Sequence, residues 1–289
     1  MPLRLVPVLL CLLVTAATAR AQVVTRDIPY ASPAHERQVL DVHAPPGAKG
    51  RPVVFWIHGG GWQTGHKGLV ALKPQAFNDA GLVFVSTNHR LWPSVTMGDI
   101  ISDIARGLRW VHDHVAEYGG DPATVFVMGH SSGGQLAAIV CTDDRYLKAE
   151  GLSLSMIKGC VPVDADTFDV PAIIEVAEVR ARAHGFPLPT SGHRQKFGND
   201  PVKHLDFSAV THVAANKHIP PFLILHVAEH PDTGAQARRF GAVLQAAGVS
   251  TAIMGVRDTW HAAINDNIGK PGDPGSDAVF DFVKTVLAR

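Results

Sequence analysis

The chain carries no surplus of either charge: Lys and Arg together number 26, as do Asp and Glu, so the formal charge is zero. Without a basic excess to neutralise phosphates, nucleic-acid binding is excluded as a main function. No internal repeat or low-complexity tract is present. Histidine is plentiful, but no pair has the tight H-E-x-x-H spacing of a metal helix. His184, His193, His204, His212 and His218 fall in one region without such a pair, so they read as solvated or hydrogen-bonded side chains. Neither a metal nor an organic cofactor is implied. Charged residues make up only 18% against 46% hydrophobic, a balance that suits a buried core and excludes disorder.

Only one apolar run is long, and it stands at the start. Arg4 supplies a short positive region, Leu5 to Ala17 follow, and Ala19-Arg20-Ala21 forms an A-x-A pattern before Gln22. The run is too short to span a bilayer comfortably. Residues 1–21 therefore read as a cleaved signal peptide, with export to the periplasm or the medium expected and no stable membrane insertion after processing. Beyond that segment only Cys141 and Cys160 remain. In an exported protein they are either a disulfide or two separate buried thiols.

What is present is a rhythm. Val53–Ile57, Leu82–Ser86, Val125–Met128, Pro221–Leu225 and Ala252–Val256 are short apolar runs of the kind buried on both faces of a parallel sheet. Between them Ile100, Ile101, Ile104, Leu108 and Val111 recur at helical spacing, as do Val243, Leu244 and Ala247, and later Val279, Phe280, Val283 and Val286. Alternating strands and helices predict an α/β fold with a mostly parallel sheet, in one domain over residues 22–289. Val23–Pro29 and Arg37–Val42 read as an entering antiparallel pair. From about Asp164 to Pro220 the rhythm breaks, and a cap-like insertion of about 165–205 is expected over the carboxyl edge of the sheet.

The strongest motif lies where a strand meets a helix. Val125-Phe126-Val127-Met128 runs into Gly129-His130-Ser131-Ser132-Gly133, and Leu136-Ala137-Ala138-Ile139 follows. This G-x-S-x-G places Ser131 on a sharp turn where glycine neighbours let the helix pack back on the strand. A second glycine cluster, His58-Gly59-Gly60-Gly61-Trp62, follows the first core strand. It lacks the G-K-[ST] ending of a phosphate loop. Its flexible backbone suits inward-turned N–H donors for a developing oxyanion, and Gly60, Gly61 and the Ser132 N–H are the candidates. His58 is expected to orient the loop by hydrogen bonds.

Together, H-G-G-G-W and G-H-S-S-G-G resemble the α/β-hydrolase carboxylesterases of the hormone-sensitive-lipase and arylformamidase type. Asn88-His89-Arg90-Leu91 is similar to the N-Y-R-L stretch of that group, with His89 where tyrosine is usual, and Tyr118-Gly119-Gly120-Asp121-Pro122 also fits. The resemblance extends from about residue 35 onward and fades between about 165 and 205. It implies an α/β-hydrolase fold and a triad in the order serine, acid, histidine.

On that order His261, in the loop after the last core strand, is the expected base. The acid is expected after Leu225, in His226-Val227-Ala228-Glu229-His230-Pro231-Asp232, where related enzymes show H-G-x-x-D and this chain has valine for the glycine. Asp232 is favoured over Glu229, because a helix from Ala235 begins just beyond it; its alternative role is to cap that helix. Trp62 and Trp260 flank motif residues and are candidate pocket walls. Asp99 and Asp103 are expected in structural ion pairs, with Arg90 as a partner. The activity implied is cofactor-free hydrolysis of a small-molecule carboxylic ester through an acyl-enzyme. Formamide or amide hydrolysis is the nearest rival, and a non-catalytic ligand-binding protein the rival of another class.

Overall fold

The computed structural model describes residues 22–187 and 192–289. The predicted signal segment 1–21 and residues 188–191 of the insertion lie outside the described residues. Eight strands form one sheet: β1 (Val23–Pro29), β2 (Val39–Ala44), β3 (Arg51–Ile57), β4 (Val83–Thr87), β5 (Gly120–His130), β6 (Ile157–Val163), β7 (Phe222–Val227) and β8 (Thr251–Val256). Their order across the sheet is β1-β2-β4-β3-β5-β6-β7-β8. β1 and β2 join antiparallel, and every pairing from β4 through β8 is parallel. The helices are α1 (Lys73–Asp79), α2 (Met97–His114), α3 (Ser132–Val140), α4 (Asp144–Ala149), α5 (Val170–Ala183), α6 (His193–Phe197), α7 (Pro201–Asp206), α8 (Pro231–Ala246), α9 (His261–Asp266) and α10 (Pro274–Leu287). Among the described residues, no helix is long and apolar enough to cross a membrane.

Each central strand is apolar on both faces because each face has a helical layer to bury it. Val53, Phe55, Val125 and Val127 pack into a cluster with Ile100, Ile104 and Leu108 of α2 and Leu136 of α3. Val54, Trp56, Phe126 and Met128 turn the other way, against Phe77 of α1 and Val279 and Val283 of α10. The alternation of side chains along a strand produces this division, and two buried faces give the continuous apolar runs seen in the sequence. At the start of α2, Thr96 and Asp99 form a capping box, so Asp99 caps where an ion pair was expected. Asp103 does pair with Arg90, Oδ1 to Nη2 at 2.7 Å.

One strand is absent from the sequence expectation. β6 lies between β5 and β7, and its residues Ile157-Lys158-Gly159-Cys160-Val161-Pro162-Val163 include two poor strand formers. Gly159 is required there: a Cβ would come within 2.8 Å of Phe282 and 2.9 Å of Phe126. Cys160 on this strand and Cys141 after α3 are both buried free thiols.

Between β6 and β7 the chain carries α5, α6 and α7. Asp169 caps α5 through the Ala172 N–H and pairs with Arg239 of α8. Phe168 stacks on Phe240 at 4.7 Å. The segment is thereby moored to α8 at its root. Its outer surface leaves Val176, Val179 and Phe186 exposed.

Candidate active site

β5 ends at His130 and α3 begins at Ser132, which leaves Ser131 alone in the turn with φ 56° and ψ −124°. A non-glycine residue held there costs on the order of 1–3 kcal/mol, offset by the surrounding structure. The neighbours show why glycines flank it. A Cβ on Gly129 would meet the Gly133 carbonyl oxygen at 2.2 Å, and one on Gly133 would meet the Ile57 oxygen at 2.3 Å. The Ser131 N–H donates to the Val163 carbonyl at 2.9 Å, which ties the turn to the end of β6.

His261 opens α9, after β8, and its ring reaches Ser131: the hydroxyl stands 3.0 Å from Nε2 and donates to it. On the other side the Nδ1–H donates to Asp164 Oδ2 at 2.7 Å. The backbone is braced as well, because His130 Nε2–H donates to the His261 carbonyl at 2.7 Å. Burial drives the His130 pKa down to about 3, so that ring remains neutral. His261 is shifted the opposite way. Its hydrogen bond to Asp164 raises its pKa above the ordinary imidazole value, against the opposing effect of burial.

Asp164 follows β6 immediately and is buried, with φ 48°. Its Oδ1 accepts the Val227 N–H from the end of β7 at 2.9 Å, and the Thr233 side chain also bonds to it. Burial alone raises its pKa, but the bonds from His261, Val227 and Thr233 outweigh burial and hold the carboxyl below its usual range.

Asp232, the acid expected from the sequence, is elsewhere. β7 stops at Val227, and the chain enters α8 at Pro231 with His230 as its cap. Asp232 therefore sits in the first turn of that helix, and its carboxylate takes two bonds from Arg180 of α5, at 2.7 and 3.0 Å. Glu229 is exposed in the intervening turn. Asp164 occupies the position opposite His261 because β6 is the strand adjoining β5 on that side. The missed signal was Val161-Pro162-Val163-Asp164, a strand ending in a carboxylate just as β5 ends in the serine turn.

The glycine loop comes to the same place. Gly59, Gly60, Gly61 and Gly65 line a cavity of about 420 Å³ with Ser131, His261, Trp56 and Leu69. Gly60 and Gly61 have φ of 125° and 60°. Ser132 is the first residue of α3, where an N–H has no partner within the helix and meets the positive end of its dipole. The expected pocket tryptophans do not line this cavity. Trp62 has φ 62°, which turns its ring into the core. There it is 3% exposed, bonded to Gln135 through Nε1–H at 3.2 Å and set edge-on to Phe197. Trp260 precedes His261 but stands 68% exposed. Three histidines of the insertion have separate partners: His193 with Asp166, His204 with the Gly198 carbonyl and His212 with the Asp206 carbonyl.

The family model described as BD-FAE matches residues 40–233, a span that includes the glycine loop, the serine turn and Asp164. The chain belongs to the BD-FAE family. Esterase LipQ of Mycobacterium tuberculosis is 28% identical over 92% of this chain and 63% of its own length. The probable carboxylic ester hydrolase LipM of the same organism is 32% identical over 61% of this chain and 40% of its own. The chain thus spans less than two thirds of either relative. Among solved structures, a truncated carbohydrate esterase from gut microbiota superposes with a TM-score of 0.74 at 19% identity, covering 94% of this chain and 99% of that one. An esterase of Pyrobaculum calidifontis gives 0.68 at 20%, covering 92% and 85%. These likenesses establish the α/β-hydrolase fold for this BD-FAE member.

Proposed function

We propose that the chain is a serine esterase that cleaves carboxylic esters through an acyl-enzyme, with Ser131, His261 and Asp164 as its triad. The observation that carries this reading is the continuous bond path from the Ser131 hydroxyl through the His261 ring to the buried Asp164 carboxylate, 3.0 and 2.7 Å long. Relatives named as esterases and carboxylic ester hydrolases support it.

Ser131 Oγ attacks the ester carbonyl carbon while His261 Nε2 takes the hydroxyl proton. The carbonyl electron pair moves to its oxygen, which the N–H groups of Gly60, Gly61 and Ser132 receive. Collapse of this intermediate breaks the ester C–O bond. His261 returns its proton to the departing alkoxide, leaving an acyl group on Ser131. Water then repeats the sequence, its proton passing to His261 and on to Ser131 as the carboxylic acid leaves. Asp164 orients the ring and stabilises its protonated form without taking the proton itself. The segment of α5–α7 serves as the cap that shapes the substrate's approach. Residues 1–21 serve as an export signal, so the mature chain begins at Gln22, whose side chain bonds His43 and Gln75.

A fluorophosphonate probe tests the reading: it labels the wild type on one serine and fails to label Ser131→Ala. Rates on p-nitrophenyl esters of rising acyl length, set against an aryl formamide, define the substrate class. Faster turnover of the formamide overturns the ester assignment, and a protein that resists the probe overturns the catalytic one. Mass spectrometry of the exported protein reads the cleavage site.

A further inference from the structure

The glycine loop can receive an oxyanion only if its peptide planes are held in one orientation. Two carbonyls in the loop are captured from the protein side. Gly59 O accepts His58 Nδ1–H at 2.7 Å. Gly60 O accepts the Gln63 and Thr64 N–H groups at 3.1 and 3.0 Å and the Thr64 hydroxyl at 3.1 Å. In a trans peptide the C=O and the following N–H point in opposite directions. Fixing Gly59 O therefore fixes the Gly60 N–H, and fixing Gly60 O fixes the Gly61 N–H. Thr64 answers for the second plane, and His58 alone answers for the first.

His58 can do this only as the neutral tautomer with its proton on Nδ1. Its Nε2 lies 3.3 Å from Arg37 Nη2, and a guanidinium offers only donors, so Nε2 must accept. The same Arg37 donates through Nη1 to Gly65 O at 3.0 Å and through Nε to His89 O at 3.1 Å. It thus joins three segments: the start of the loop, its end, and the turn after β4. His89 closes the remaining face, its ring stacked on His58 at 4.5 Å. Burial, reinforced by His89, keeps the His58 pKa well below the ordinary imidazole value. Gly65 completes the enclosure, since a Cβ there would come within 2.1 Å of Gly59 O and 2.4 Å of His58 Nδ1.

We propose that Arg37 is a positioning residue for the oxyanion site, acting by setting the His58 tautomer that orients the Gly59–Gly60 peptide. The proposal rests on the esterase reading for its kinetic consequence but not for its structural one. Arg37→Met is expected to lower kcat by about 10²-fold, the effect of losing one oxyanion donor, with KM held within about twofold. In ¹⁵N-histidine NMR, His58 of the wild type shows a single neutral Nδ1–H form, and the variant shows a mixture of tautomers. Guanidinium ion added to Arg37→Ala restores kcat in part, and Arg37→Lys recovers less, because an ammonium does not span the three acceptors. Active-site titration and melting curves correct each rate for folded protein. A kcat within about twofold of wild type in Arg37→Met overturns the proposal. So does a rate loss with the His58 tautomer unchanged, or one explained wholly by a smaller folded fraction. If the wild type hydrolyses no ester and resists the fluorophosphonate, the esterase reading fails by itself, and the NMR arm still decides whether Arg37 sets His58.

Discussion

Two neighbouring strands, β6 and β7, end side by side next to the serine turn, and they end very differently. β6 runs straight into Asp164, whose carboxylate is buried and takes bonds from His261, the Val227 N–H and Thr233. β7 runs into an exposed turn at Ala228 and Glu229 and then into α8, whose first carboxylate, Asp232, faces outward to Arg180. The two ends nonetheless cooperate, because Val227 and Thr233 on the β7 side are the groups that hold the β6 acid. The position after β7 has become a support for a charge supplied by its neighbour. An acid is placed by whichever strand end is buried and rich in donors, and chain order alone does not choose between adjacent strands.

The largest test of this contrast is an amide at each acid. Asp164→Asn keeps the shape but removes the charge and favours the wrong tautomer of His261, so kcat falls by about 10⁴-fold. Asp232→Asn is expected to leave kcat/KM within about twofold, since its carboxylate touches no reacting group. Steady-state kinetics on one activated ester measures both. Equal losses in the two variants would erase the distinction between the strand ends.

The same contrast explains what could be read without coordinates. The serine turn and the glycine loop are contiguous motifs whose chemistry is carried by neighbours in sequence, and His261 follows a clear strand, so all three were legible. Asp164 was not, because its strand is disguised. Gly159 and Pro162 weaken its local propensity, yet Gly159 is there to admit Phe126 and Phe282, a need set by residues more than thirty positions away. With β6 unread, the stretch after β7 is the one place left for the acid, and Asp232 is preferred there over Glu229 for its position beside the following helix. Trp62 misled for a related reason: its neighbours belong to the site, but its positive φ sends the ring to the opposite side. Local pattern identifies the groups that react, whereas the groups that hold them depend on packing.

A pH profile sharpens the comparison next. The Asp164 bond raises the His261 pKa above the imidazole value of 6.5. Because His261 must be neutral to accept the serine proton, kcat/KM falls as pH drops through that raised value. In Asp164→Asn the residual activity is expected to lose its acid limb at a lower pH, since the imidazolium no longer has its counter-charge. The stability consequences carry opposite signs. The raised His261 pKa adds stability that is fully present below 6.5 and lost as pH climbs through the folded value. The depressed Asp164 pKa adds stability present above its ordinary 3.8 and lost as pH falls below it. Chemical denaturation across pH, compared with Asp164→Asn, separates the two. An acid limb that does not move in the variant would show that the carboxylate does not govern the ring.

A smaller effect is expected from the support on the β7 side. Thr233→Val keeps the volume and removes one bond to Asp164, worth about 0.5–1.5 kcal/mol, so kcat/KM should fall by roughly 2- to 10-fold. The acid is still held by Val227 and His261, which is why the loss is far below that of Asp164→Asn.

The smallest expected effect lies at the outward-facing acid. Arg180 and Asp232 join α5 to α8 with side chains 52% and 19% exposed, so water screens the pair. Breaking it with Arg180→Met should cost at most about 1 kcal/mol of stability. The deeper mooring of the insertion, through Asp169, Gln236 and the stacked Phe168 and Phe240, remains in place. Hydrolysis of a small activated ester should be unchanged, because Arg180 and Asp232 bond to each other and not to Ser131, His261 or Asp164. A bulky ester is the discriminating substrate: if α5 shapes the approach to Ser131, its KM shifts in Arg180→Met while that of the small ester does not. A shift shared by both esters would mean that the bridge is coupled to the triad, and that the two strand ends are less separate than their geometry indicates.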